Sequence, residues 1–262
     1  MGLTDRLFKF REMSDEAKPF LAHIEDLRMM IIKMTIALGL AMILSFCFRV
    51  QLFAIIQHPL MQVDPSQFTS PRNLGPADPL SIPLEMSFYA GIVISFPFLL
   101  YFLGQFVLPA LTVNERRHIW PAATIGFGLF LAGVLFAYFV VLPQALAFFY
   151  NESKKLGWDP TWAVREYFSF ASQFVIAFGL AFELPVVVLL LVKLGVVEVH
   201  MLRRLRPQAL VAVMIFAAVL TPTTDMVTML LMGGPMYLLY ELCIIIAAIM
   251  QRREKRGEIE IL

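Results

Sequence analysis

MMIIKMTIALGLAMILSFCF, residues 29–48, contains one charged side chain, Lys33. A helix needs roughly 20 apolar residues to cross the ~30 Å hydrocarbon layer of a bilayer. This stretch has that length, and Lys33 lies near enough to its start to reach back to the interface. The same test finds five further runs, at about 86–108, 119–142, 168–192, 207–221 and 228–250. The chain is 59% hydrophobic and 16% charged, with a mean hydropathy of +0.75. That composition excludes an ordinary soluble domain. The expected fold is an all-α polytopic membrane protein with six transmembrane helices. The fifth run, closed by Pro222, is short for a span.

Lys and Arg in the loops set orientation. Residues 1–28 are too polar for the apolar core of a cleaved signal, so the first span is expected to remain as an anchor. With the N-terminus cytoplasmic, the inner segments hold fifteen Lys and Arg, including Arg28, Arg116, Arg117, Arg203, Arg204 and Arg206; the outer ones hold five, among them Arg72, Lys154 and Arg165. Both termini are therefore predicted to be cytoplasmic, in a multi-pass membrane protein. Residues 1–28 form a cytoplasmic amphipathic segment, 29–250 the six-helix domain and 251–262 a cytoplasmic tail. Ser14-Asp15-Glu16 supplies a helix start. Phe20, Ile24, Leu27 and Ile31 then make a stripe suited to the membrane surface. Residues 50–85, with six prolines, and 144–166, with Trp158 and Trp162, read as outer loops.

Motifs of the common enzyme classes are absent: there is no His-Glu-x-x-His, no Gly-x-Ser-x-Gly and no phosphate-cradling glycine loop. Cys47 and Cys243 fall near opposite faces, which argues against a disulfide, and both read as small buried side chains. His23, His58, His118 and His200 are scattered, which suits helix ends and water better than a metal. No catalytic residue, metal or cofactor is expected, and near-zero net charge gives no sign of nucleic acid. Glu183, in FGLAFELPVVV, stands inside an apolar run. A charged carboxylate at the centre of a span costs roughly 2.5–3.5 kcal/mol on insertion scales, so Glu183 should face a cavity or be neutral. Pro185 should loosen its helix, and Gln173, about three turns earlier, is a candidate to line the same polar pocket.

Two charged stretches share the predicted inner face: FLAHIEDLR at 20–28 and QFVLPALTVNERRH at 105–118. The first resembles the His-Leu-x-Glu-Leu-Arg signature preceding the first span of TatC, the multispan receptor of the twin-arginine protein translocase. SFPFLLYFLGQFVLPALTVNERR (95–117), FAYFVVLP (136–143), FGLAFELPV (178–186), LTPTTD (220–225) and PMYLLYE (235–241) resemble later stretches of that family, in order. The resemblance implies a cup-like bundle that binds twin-arginine signal peptides at its cytoplasmic face. It further implies export of folded proteins by the proton-motive force, with partners of the single-span TatA and TatB type, further TatC copies and the lipid bilayer.

Carried across, the two glutamates that hold the peptide's arginines correspond to Asp26 and Glu115. Arg28 is the signature arginine, Phe106 the loop aromatic and Glu183 the acid of the concave cavity, while Pro59 and Tyr138 are structural positions. Asp26 is one methylene shorter than the family glutamate and Glu25 adjoins it, so either acid is a candidate for the arginine contact. The two point about 100° apart on a helix. Where the family often has Ser-Gln after the outer-loop aspartate, this chain has Thr228-Met229; Thr221 and Thr228 are then the partner-contact candidates. The chemistry agrees, because a guanidinium matches a carboxylate bidentately whereas lysine offers a point charge. The alternative is an ion-coupled secondary transporter using Glu183, although no internal repeat of the kind common in that class is visible.

Overall fold

The computed structural model describes residues 20–63, 75–107, 119–160, 162–193, 195–220 and 226–259. Ten α-helices run through them: α1 Phe20–Cys47, α2 Arg49–Val63, α3 Asp78–Val107, α4 Ile119–Phe136, α5 Leu142–Lys155, α6 Val164–Ala181, α7 Leu184–Lys193, α8 Val199–Arg204, α9 Arg206–Leu220 and α10 Met226–Ile259. No strand occurs among the described residues.

Five helical stretches are long and apolar enough to cross a membrane: His23–Cys47, Asp78–Val107, Trp120–Lys155, Val164–Lys193 and Met229–Gln251. The sixth apolar helix, α9, has 15 residues and a length of about 22 Å, short of the ~30 Å layer. It pairs antiparallel with the first half of α10, and Arg206 donates to Glu241 at 2.8 Å.

Several elements run further than the apolar runs suggested. α1 passes unbroken through residues 28 and 29, with no turn between a surface segment and a span. Residues 1–19 lie outside the described residues. Much of 50–85 is helical rather than loop, because Pro59 is accommodated inside α2 and Asp78 opens α3 before the apolar run begins. The third span continues as α5 through a five-residue π-helical turn, Ala137–Val141. Pro143 sits just past that turn, where its missing N–H displaces the ladder and Leu142 donates to Ala137 instead. Trp120–Lys155 is 36 residues, about 54 Å of helix, so it outruns the bilayer.

Side-chain packing explains the helix order. Between helices in lipid, association rests on close contact and polar pairs rather than on removal of water. α6 supplies the centre: Tyr167, Phe168, Ala171, Phe174 and Phe178 are buried against Leu60 of α2, Met86 of α3, Leu142 of α5 and Met236 of α10. Glycines bring α4 and α6 together. A Cβ at Gly133 would stand 2.7 Å from Phe182 Cγ and 2.9 Å from the Phe178 carbonyl oxygen; one at Gly179 would stand 2.7 Å from Phe130. Phe130 in turn stacks on Phe96 of α3 at 3.6 Å between centroids. Of the two free cysteines, Cys243 is buried as expected, whereas Cys47 is exposed at the end of α1.

Pro59 has an identifiable cost and compensation. It lacks the amide that would serve the Ile55 carbonyl four residues back. The Tyr138 hydroxyl donates to that carbonyl at 2.6 Å, and Tyr167 donates to the next one, Ile56, also at 2.6 Å. Tyr138→Phe is expected to cost about 1 kcal/mol. In a Pro59→Ala background, which restores the amide, the same change should cost clearly less. A double-mutant cycle on thermal stability in detergent measures the coupling.

Candidate functional site

The start of α1 meets the end of α3. Their axes run antiparallel, and a Cβ added at Gly91 of α3 would stand 3.0 Å from the Met42 backbone nitrogen of α1. At the near end the His23 ring stacks on Phe106, with centroids 4.5 Å apart and planes 22° from parallel. Phe106 is thereby joined to the signature.

Helical spacing then sorts the two acids. His23, Asp26, Met30 and Met34 follow at intervals of three and four and are all half-buried, and Ala41 further along is buried. This is the face of α1 turned toward α3. Glu25 is exposed on another face and takes an ion pair from Arg28 one turn on, at 3.4 Å, with both side chains mostly in solvent. The structure thus places Asp26 on the helix face that carries His23, and engages Glu25 locally. Glu115, with Arg116, Arg117 and His118, lies outside the described residues.

Glu183 sits where the fourth long span breaks. α6 ends at Ala181 and α7 begins at Leu184, so Phe182 and Glu183 form the interruption ahead of Pro185. Glu183 Oε1 is buried without a hydrogen-bond partner among the described residues. Its carboxylate lies over Gly126 of α4, where a Cβ would come within 2.9 Å of Oε2. The glycine is what gives the acid its space.

Gln173 does not join Glu183. Ten residues of helix, about 15 Å, separate them. Gln173 instead donates to Ser169 Oγ at 3.0 Å, and Ser169 donates to Glu85 Oε1 of α3 at 2.6 Å. Glu85 was not singled out from the sequence. Its signal was present, a lone acid inside an apolar run, but the preceding prolines made 76–83 look like loop. Nearby, buried Asp78 accepts from Arg165 at 3.2 Å and from the Gly75 amide at 2.8 Å, and Arg165 also donates to Ser81 at 3.2 Å. These groups tie the beginnings of α3 and α6 together, at the end of the bundle opposite the signature. Thr221 lies outside the described residues, and Thr228 falls within α10, its side chain undescribed. No group of His, Cys, Asp and Glu among the described residues is arranged to hold a metal.

The family model for the Sec-independent protein translocase protein (TatC) matches residues 22–235. The chain belongs to the TatC family. A TatC from Akkermansia muciniphila is 51% identical over 179 residues, covering 68% of this chain and 51% of that relative's length. One from Aquifex aeolicus is 34% identical over 238 residues, covering 90% of this chain and 98% of the relative. A solved structure described as the twin-arginine translocase receptor TatC superposes with a TM-score of 0.78 at 34% identity, over 87% of this chain and 98% of that one. Membership accounts for the enzyme motifs missing from the sequence, since these relatives are protein translocase components. It also accounts for the order of the six stretches that carried the resemblance. The matched residues include both the HIEDLR signature and the Glu183 break.

Proposed function

We propose that this chain is the twin-arginine signal-peptide receptor and core scaffold of a Tat translocase, exporting folded proteins across the cytoplasmic membrane at the expense of the proton-motive force. Its six spans form a cup with both termini cytoplasmic, α9 serving as the short fifth span. TatA- and TatB-type single-span proteins and further copies of the chain are its partners, with Thr221 and Thr228 on their contact surface.

The observation that carries the reading is the stack of His23 on Phe106 at one end of the α1–α3 pair, with Asp26 one helical turn along the same face of α1. Asp26 and Glu115 clamp the arginine pair, Glu25 and Arg28 form the outer edge of the site, and Phe106 is its apolar wall. Exposed ion pairs are individually weak, so the peptide's apolar stretch packs along the bundle toward Glu183. The ion-coupled transporter is not favoured, because the relatives are protein translocase components.

Photocrosslinking probes at positions 26 and 115 are expected to capture a twin-arginine precursor, and a probe at 165, at the opposite end, to stay unlinked to the arginine motif. Capture at 165 with none at 26 or 115 would refute the assignment.

A further inference from the structure

The contact between His23 and Phe106 has a consequence for how arginine is told from lysine. His23 lies one helical turn before Asp26 on the same face of α1. Its ring covers one side of Phe106, with centroids 4.5 Å apart and planes 22° from parallel. Phe106 lies in the last described turn of α3. It is half-buried, so part of the ring remains open.

We propose that His23 is a positioning residue of the arginine-reading site: its ring stacks on Phe106 and fixes the plane of the aromatic wall against which a peptide guanidinium lies, one helical turn from Asp26. The inference rests on the receptor reading above. A guanidinium is planar and stacks on an aromatic face, whereas an ammonium is a compact, strongly hydrated point charge. A fixed ring plane beside a carboxylate therefore favours arginine through shape as well as charge. A ring that turns freely still offers apolar surface but gives up this preference. Histidine suits the task at a helix end near water, since its faces stack while its nitrogen edges stay hydrated.

The test uses the full chain in nanodiscs, a fluorescent twin-arginine signal peptide and its Lys-Lys counterpart. His23→Ala is expected to weaken the Arg-Arg peptide about fivefold and the Lys-Lys peptide less than twofold, narrowing the gap between them. His23→Phe, which keeps a stacking ring, should restore the gap to within twofold of the parent. Asp26→Asn, measured alongside, reports on the receptor reading itself. If Asp26→Asn weakens Arg-Arg binding and His23→Ala does not, His23 has no positioning role and the receptor reading stands. If neither Asp26→Asn nor Glu25→Gln weakens Arg-Arg binding, the receptor reading falls and this inference with it; a loss at Glu25 alone moves the carboxylate off the His23 face and overturns this inference while the receptor reading stands. Equal losses of both peptides in His23→Ala, unrescued by His23→Phe, would make the contact a matter of folding alone and overturn the proposal. Should His23→Ala not be recovered folded, His23→Leu replaces it, keeping volume without a ring face, and is read against His23→Phe in the same way.

Discussion

Asp26→Asn is expected to lower affinity for a twin-arginine peptide about tenfold, and Glu25→Gln less than threefold. Both remove one negative charge from neighbouring positions, so net charge predicts equal losses. The difference comes from where the helix points them. Asp26 is half-buried on the face that carries His23, with water partly excluded, and a hydrogen bond to a charged group there is worth about 1.5–3 kcal/mol. Glu25 is exposed and engaged with Arg28 at 3.4 Å, a setting in which ion pairs contribute about 0–1 kcal/mol. A tenfold change corresponds to about 1.4 kcal/mol. Glu115→Gln should match the Asp26 loss for the Arg-Arg peptide, while the weaker Lys-Lys peptide loses much less, because only arginine is held bidentately. Titrating both peptides against the three variants decides it. Small and equal losses at 26 and 115 would remove the clamp, and a larger loss at 25 would transfer it to the neighbouring acid.

The choice between those acids shows what a single sequence can and cannot say. Adjacent residues on a helix point about 100° apart, so the sequence says that the two acids do not face one neighbour equally. Which one depends on the helix packed alongside, and that is a tertiary fact. Five long apolar helices were legible because length and apolarity are local properties, and the break at Glu183 because proline acts on its own helix. α2 and α5 were not. α2 contains a proline and polar residues that usually mark loops, and it persists because hydroxyls from Tyr138 and Tyr167, remote in sequence, satisfy carbonyls around Pro59. Gln173 was read as company for Glu183 because both lie on one run. Its actual partners, Ser169 and through it Glu85, come from the preceding turn of its own helix and from a helix more than eighty residues earlier. Only the first of these leaves a trace in local spacing.

The same kind of long-range pairing sets the second large effect, on stability. Arg165→Met is expected to destabilise the fold by about 3 kcal/mol, and Asp78→Asn by about 1 kcal/mol. The asymmetry follows from burial: the Asp78 side chain is 6% exposed and that of Arg165 is 54% exposed. Removing the arginine leaves a carboxylate with little access to water and without the cation that offsets its desolvation. Replacing the carboxylate by an amide leaves an oxygen that can still accept the Gly75 amide, while the exposed guanidinium turns to solvent and keeps Ser81. The double variant Asp78→Asn/Arg165→Met should therefore be more stable than Arg165→Met alone. Thermal unfolding of the four proteins in one detergent orders them. If Asp78→Asn proved the more damaging single change, the pair would be acting as a surface tether rather than as a compensated buried charge. Because Asp78 opens α3 and Arg165 lies in the first turn of α6, loosening this pair frees the two helices at the end remote from the signature. Twin-arginine peptide affinity in Arg165→Met should accordingly stay within about twofold of the parent at temperatures where the variant is folded, which separates the stability of the bundle from the chemistry at its other end.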